Sequence, residues 1–349
     1  MSLQAGIITV DNTPHASRLM QQRAAGSDAI YFHFPCFDGL ISSAIAADHL
    51  TMFHDWKIED FRPVDYDLKA QWLDISLPHR SAVVDFLYHP GAVFWADHHA
   101  TTFLTSENQQ DYLAKRDRPG EWLIYDPEAQ SCALLLFERL RDSLSDPDRY
   151  RDMAQWADKI DSASYSSVEE AVYGGSPAMD INLGLSAGGA DSKYAELLVR
   201  SLLRLSLEEV SALPEVQKRT ITARRRIRAG LKAVEKSVRL VDGDIVAVST
   251  SESEARTISR YSPYIFYPDA SYSLSLTRTK QHWKITAMRN PWRQFRSIEL
   301  GELFRKYGGG GHRRVASVIV PGTAVEHAQD VFDAILGDIR ESPIDSAAV

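Results

Sequence analysis

Cysteine is scarce: the 349-residue chain has only Cys36 and Cys132. Two thiols cannot build a disulfide framework, and a reducing cytosol is the simpler setting. Long apolar runs are missing as well. None is long enough to cross a membrane, and no basic-then-apolar leader opens the chain, so the expectation is a cytoplasmic protein with no membrane partner. An excess of positive charge is also absent. The 39 Lys and Arg face 47 Asp and Glu, for a formal net charge of -8. That balance argues against broad, sequence-independent duplex binding. A phosphate-bearing ligand would need local cations, either bound divalent metals or clustered arginines. No internal repeat or low-complexity segment is present. The rest is ordinary for a globular protein, with 44% hydrophobic and 25% charged residues. The length suggests two domains.

The apolar run Ala92-Val93-Phe94-Trp95 leads into Asp97-His98-His99. The run reads as a buried strand, with an acid and two imidazoles at its C-terminal end, where open α/β sheets bind ligands. Upstream, 28–34 reads as the first strand. Pro35-Cys36-Phe37-Asp38-Gly39 is a tight turn, and a helix rich in small residues follows from Leu40. Further strands are expected at 58–64, at 71–75 ending in Asp74, and at 122–126, with helices at about 129–142 and 149–160. This alternation predicts a doubly wound, mainly parallel sheet.

Residues 190–236 read as helical and carry Lys218, Arg219, Arg224, Arg225, Arg226 and Arg228. The plainer reading is a solvated helix joining two domains; the sharper one is a rim guiding a polyanion towards the cleft. Beyond 236 the pattern becomes short strands at 238–241, 245–248, 271–277, 282–288 and 315–320. Hairpin turns are expected at 242–244 and 278–281, with helices at 298–306 and 324–339. This is a smaller α+β domain with a mixed sheet. The expected division is 1–190, a helical linker at 191–236, and 237–349.

His33, Asp38, Asp74, Asp97, His98 and His99 all fall at or just after C-terminal ends of expected strands, which a doubly wound sheet gathers into one cleft. Asp158 and Asp161 follow on a helix. Mixed carboxylates and imidazoles suit Mn²⁺, Mg²⁺, Fe²⁺ or Zn²⁺, and the near absence of thiolates argues against structural zinc. Crowded carboxylates repel unless cations lie between them. Two ions sharing one Asp would relieve that repulsion and clamp a phosphoryl group. Each residue alone has a plainer reading: a buried strand histidine for His33, caps for Asp74 and Asp158, a small core hydrophobe for Cys36, and a surface-helix position for Asp85. Co-occurrence lowers those readings.

Taken together these motifs resemble the DHH phosphoesterase superfamily, whose namesake triplet is Asp97-His98-His99 here. Gly308-Gly309-Gly310-Gly311-His312 resembles the GGGGH signature of the DHH-associated C-terminal domain. The likeness covers about 25–340. His33-Phe34-Pro35-Cys36-Phe37-Asp38-Gly39 is similar to the H-x-x-C-P-D-G form of the nanoRNase and cyclic-nucleotide phosphodiesterase branch. The resemblance implies two ions, most simply Mn²⁺. His33 and Asp74 would hold one; Asp38, Asp74, His98 and Asp158 the other, with Asp161 able to replace Asp158. It implies that His99, with Asp97, serves the scissile phosphate, and that Arg289, Gly309, Gly310, Gly311 and His312 bind substrate. Two departures stand out. Cys36 replaces a carboxylate common in relatives, so the first site has one acid fewer and either takes Cys36 itself as a weak ligand or binds its ion less tightly, and Phe37 replaces the proline of the closest motif.

The function so implied is metal-dependent hydrolysis of phosphodiesters in short oligonucleotides or small nucleotides. Alternatives are an exopolyphosphatase, a 3′-phosphoadenosine phosphatase, or a non-catalytic nucleotide-binding regulator with a decayed first site. No obligatory protein partner is implied, and a homodimer is left open.

Overall fold

The computed structural model describes residues 28–342, apart from 79, 119, 121, 188–190, 242–243, 256–257, 312, 323 and the side chain of 255. The first half is an α/β layer built on five parallel strands. These are β1 (Asp28–His33), β2 (Ile58–Val64), β3 (Ser81–Val84), β4 (Phe94–Asp97) and β5 (Trp122–Tyr125). Their order in the sheet is β2-β1-β3-β4-β5. The winding therefore reverses between β1 and β3, and a crevice opens outside the carboxyl ends of those two strands.

Alternation along the strands supplies both faces. Ile30, Phe32, Ala82, Val84, Phe94 and Ala96 point to one side. There they meet α1 (Phe37–His54), α3 (Cys132–Leu140), α4 (Pro147–Asp161) and α7 (Ser192–Leu202). Ala29, Tyr31, Val83 and Trp95 point to the other side, onto Trp72, Phe86 and Tyr112 of α2 (Ser106–Lys115). Strands covered on both faces read as continuous apolar runs, which is why β1 and β4 are legible.

One expected strand is not a strand. Tyr66–Asp74 forms a 3-10 helix, and Trp72 is fully buried, its indole N–H donating to the Leu87 carbonyl at 3.0 Å. Burying one large aromatic ring against the sheet outweighs the local β-preference of Trp-Leu-Asp-Ile. The third strand is Ser81–Val84, and Asp85 follows it directly rather than lying on a surface helix. The long helical stretch is likewise broken: after α5 (Val168–Tyr173) and α6 (Pro177–Ser186) come α7, α8 (Leu207–Ser211) and the 24-residue α9 (Pro214–Ser237).

The second half is a six-stranded mixed sheet of β6 (Arg239–Leu240), β7 (Ile245–Ser251), β8 (Tyr272–Arg278), β9 (His282–Arg289), β10 (Gly310–Gly311) and β11 (Val315–Pro321). Its order is β10-β11-β9-β8-β7-β6, with only β7 and β8 parallel. The second expected hairpin joins β8 to β9 in antiparallel register, from Arg278 opposite Trp283. The turn between β6 and β7 includes 242 and 243, which lie outside the described residues. The sheet has its own apolar core against Leu300, Phe304, Phe332 and Ile335. A further cluster joins the halves, where Tyr261, Tyr264 and Trp292 pack on Tyr165, Val168 and Val172. The Trp292 indole donates to the Tyr165 carbonyl at 2.9 Å. Among the described residues no helix is long and apolar enough to cross a membrane.

Candidate metal centre

The crevice at the reversal of the sheet collects its side chains from strand ends. His33 is the last residue of β1, Asp85 the first after β3, and Asp97 the last of β4. Asp85 takes a left-handed backbone (φ 53°), a conformation Asp tolerates better than most side chains. Its N–H still donates to the Ala96 carbonyl at 2.9 Å. The turn thus keeps the sheet ladder while letting the acid serve the crevice. Gly39, in the first turn of α1, permits the fit: a Cβ there would strike the His33 carbonyl oxygen and lie 3.0 Å from Asp85 Oδ2.

Asp38 lies in the first turn of α1 and is completely buried. It accepts from the backbone N–H of Cys132 and of Ala133, each at 2.8 Å, at the first turn of α3. One carboxylate thereby serves two helix N-termini, a favoured place for negative charge. His98 donates from Nδ1 to the Ala129 carbonyl at 3.1 Å. That bond turns its Nε2 to the acids, 3.6 Å from each of Asp38 Oδ2, Asp85 Oδ1 and Asp161 Oδ2. His33 Nδ1 lies 3.4 Å from Asp85 Oδ2. His99 donates from Nδ1 to Asp97 Oδ1 at 2.8 Å and is 32% exposed.

Burial lowers the basicity of His98, but the close carboxylates of Asp85, Asp38 and Asp161 outweigh it and raise its pKa to about 10. Burial likewise opposes the His99 proton, and Asp97 more than restores it, so this imidazole is also held above its ordinary value. Asp38 is pushed well up by burial, with Asp85 and Asp161 adding repulsion. Asp85 is pulled down, because the adjacent imidazoles of His33 and His98 outweigh its own burial. Burial and the neighbouring acids hold the Cys36 thiol well above its usual range. It is therefore a protonated thiol until a cation competes for it.

The donors pass a simple fit test for cations. Buried His33 Nδ1, Asp85 Oδ1, Asp97 Oδ2 and His98 Nε2 have no hydrogen-bond partner among the described residues. Such atoms normally have one. Donor atoms lie within 4.8 Å of one another in three overlapping sets: Asp85, Asp97, His98 and His99; His33, Cys36 and Asp85; and Asp38, His98 and Asp161. Hard oxygen and imidazole donors in such number suit divalent ions.

Not every expected residue arrives. Asp74 ends the 3-10 helix, exposed, and Asp85 stands where it was expected. Asp158 faces Ser131 Oγ at 3.4 Å, while Asp161, the last residue of α4, joins the cluster. A signal for that choice was present: Asp161 continues the buried stripe Tyr150, Ala154, Ala157 at helical spacing. Tyr66 went unnoticed. Its ring stands edge-on to His33 at 5.1 Å and to His99 at 6.4 Å, and its position just beyond β2 is the same strand-end signal. Arg289 ends β9, and its guanidinium donates to the carbonyls of Asn290, Arg293 and Phe295 at 3.0–3.1 Å. Gly309 and Gly311 lie tightly against β11: a Cβ at Gly309 would meet Ser317 O at 2.5 Å. His312 is outside the described residues.

No protein-family model and no curated protein matches this chain. Solved structures do. A pGpG-specific phosphodiesterase, PggH of Vibrio cholerae, superposes with a TM-score of 0.69 at 20% identity, covering 91% of this chain and all of that one. RecJ of Thermus thermophilus, in complex with Mn²⁺, matches with a TM-score of 0.51 at 16% identity. That match covers 94% of this chain and 55% of RecJ. A manganese-bound exonuclease RecJ gives the same score and identity over 94% of both chains. This chain has their fold.

Proposed function

We propose that the protein is a DHH-type, divalent-metal-dependent phosphoesterase that cleaves phosphodiester bonds of short oligonucleotides or small nucleotides. The observation that carries this is the convergence of His33, Asp38, Asp85, Asp97, His98, His99 and Asp161 at the reversal of the sheet, with buried donor atoms lacking partners among the described residues. Structural neighbours that are a pGpG phosphodiesterase and manganese-bound RecJ exonuclease support the substrate class and the ion. In this reading the α/β layer carries the chemistry, α7 to α9 link it to the second sheet, and the second sheet selects substrate. Two free thiols fit a reducing, cytoplasmic setting.

His33, Asp85 and Cys36 would hold one ion; Asp38, His98 and Asp161 the other, with Asp85 near enough to serve both. When bound, two such ions polarise the phosphoryl oxygens and supply a nucleophilic hydroxide at neutral pH. The protein's own part is orientation and proton handling. The Ala129 carbonyl fixes the His98 tautomer, leaving Nε2 as the donor to an ion. Asp97 grips His99 Nδ1–H and raises its basicity, so the other ring nitrogen carries a proton to the departing oxygen. Cys132 and Ala133 N–H groups hold Asp38 rigid before any ion arrives.

The test is a substrate panel with added Mn²⁺: a dinucleotide, a short RNA, polyphosphate and 3′-phosphoadenosine. Diester cleavage lost on chelation is the expected result. Preference for polyphosphate or the phosphomonoester would shift the substrate class. Tight nucleotide binding with no turnover of any of the four would make the protein a regulator instead.

A further inference from the structure

The α9 helix carries eight cations, Lys218, Arg219, Arg224, Arg225, Arg226, Arg228, Lys232 and Lys236, against the carboxylates Glu215 and Glu235. This contrasts sharply with a chain of net charge -8. The structure divides them. Arg219 is paired with Asp191 at 2.7 Å, Arg224 with Asp180 at 2.6 Å, and Arg226 donates to the Ala187 carbonyl at 2.7 Å. These three clamp the helix to its neighbours. Lys218, Arg225, Arg228 and Lys232 are exposed and form no ion pair with the described residues. Their spacing of seven, three and four residues puts all four on one stripe. The buried residues Val216, Thr220, Ala223, Gly230 and Val234 occupy the opposite side. From Lys218 to Lys232 the stripe runs about 21 Å at about 1.5 Å per residue.

A second feature adjoins it. Tyr173, at the end of α5, is 43% exposed, and with Ile227, Arg224 and Arg228 it lines a pocket of about 210 Å³. An exposed aromatic ring beside arginines, at the edge of a cationic track, is the combination that holds single-stranded nucleic acid. Bases stack on the ring while phosphates follow the charges. A bare cationic face would hold any polyanion; the stacking ring singles out a strand with bases.

We propose that this face of α9, with Tyr173, is a docking track for a single-stranded oligonucleotide longer than a dinucleotide. It rests on the phosphoesterase reading only in assigning the strand as substrate; the binding claim stands apart from turnover. The test uses the full chain, chelated to prevent cleavage, and a fluorescently labelled single-stranded RNA of about ten residues, within the usual site size for such tracks. Binding is read by anisotropy across salt concentrations. The triple variant Arg225→Gln/Arg228→Gln/Lys232→Gln should flatten the log-log salt slope by about 2, at about 0.7 per phosphate contact on single strands. Tyr173→Ala should weaken binding about tenfold with the slope unchanged. Cleavage of a dinucleotide in Mn²⁺ should be the same in all variants.

The proposal is overturned if the ten-residue RNA binds no tighter than the dinucleotide, or if the triple variant keeps the wild-type slope. It is also overturned if polyphosphate binds as tightly as RNA and Tyr173→Ala changes nothing, which would make the face a general polyanion surface. If binding behaves as stated while no phosphodiester is cleaved, the track stands and the enzymatic reading falls.

Discussion

Asp85→Asn keeps the shape of the side chain and removes its charge, and Asp74→Asn does the same at the acid that the sequence pattern favoured. In the structure the Asp85 carboxylate lies 3.4 Å from His33 Nδ1, 3.6 Å from His98 Nε2 and 3.8 Å from His99 Nδ1, while Asp74 is exposed. For unit charges at the His98 separation of 3.6 Å, Coulomb's law gives about 4–5 kcal/mol at an effective dielectric of about 20. At about 1.4 kcal/mol per decade that is about three decades in binding. Asp38 and Asp161 still attract a cation in the variant, so the expected loss is about 10²–10³-fold in Mn²⁺ affinity, with a comparable fall in kcat/KM on a dinucleotide. Asp74→Asn should stay within about twofold of wild type, as exposed sites away from such features do. Calorimetric Mn²⁺ titration and initial rates on the two variants side by side provide the assay. If Asp74→Asn is as damaging as Asp85→Asn, or if Asp85→Asn changes little, the centre is assembled differently from this account.

Three further outcomes are expected. The folded pKa of His98, about 10, stands above its ordinary 6.5, so the stability it contributes is full below that ordinary value and is lost as pH rises through the folded one. Chelated protein should therefore lose Tm across this window, His98→Gln should lose less, and Mn²⁺, which takes the proton's place, should suppress the decline; a flat profile for chelated wild type contradicts this. Gly309→Ala should cost about 1–3 kcal/mol by thermal unfolding, because its Cβ would meet Ser317 O at 2.5 Å and Val318 Cβ at 2.7 Å, whereas Gly310→Ala, with open space, should be nearly neutral; equal effects would discount the close approach. Arg289→Ala should destabilise by about 1.5–3 kcal/mol through the loop carbonyls it holds, and a Tm equal to wild type would free that guanidinium for substrate alone.

The strands that matter most were legible because they are covered on both faces. β1 and β4 are unbroken apolar runs, so His33 and Asp97-His98-His99 could be placed at their ends from the residues alone. β3 is only four residues long, and the apolar run continues past it through Phe86, Leu87 and Tyr88, which hides the end of the strand and with it Asp85. Gln71–Ile75 has the look of a strand, but Trp72 finds its burial sideways, under Tyr31 and Phe86, at ring distances of 5.9 and 4.9 Å. Long-range packing of that kind leaves no local trace. The choice between Asp158 and Asp161 depends on how α4 is rotated, which its buried stripe does encode. The fate of the α9 cations depends on where Asp180 and Asp191 lie in space, and no periodicity within α9 gives that.

The bonds that Asp38 accepts from Cys132 and Ala133 bear on how such a centre would decay. Losing this acid would unseat α3 as well as remove a ligand, so drift away from catalysis should preserve it long after Asp85, Cys36 or Asp161 has changed. Survival of an aspartate at this position in a descendant therefore attests to a folded scaffold and is mute about turnover. The informative positions are those whose carboxylates answer to no backbone amide.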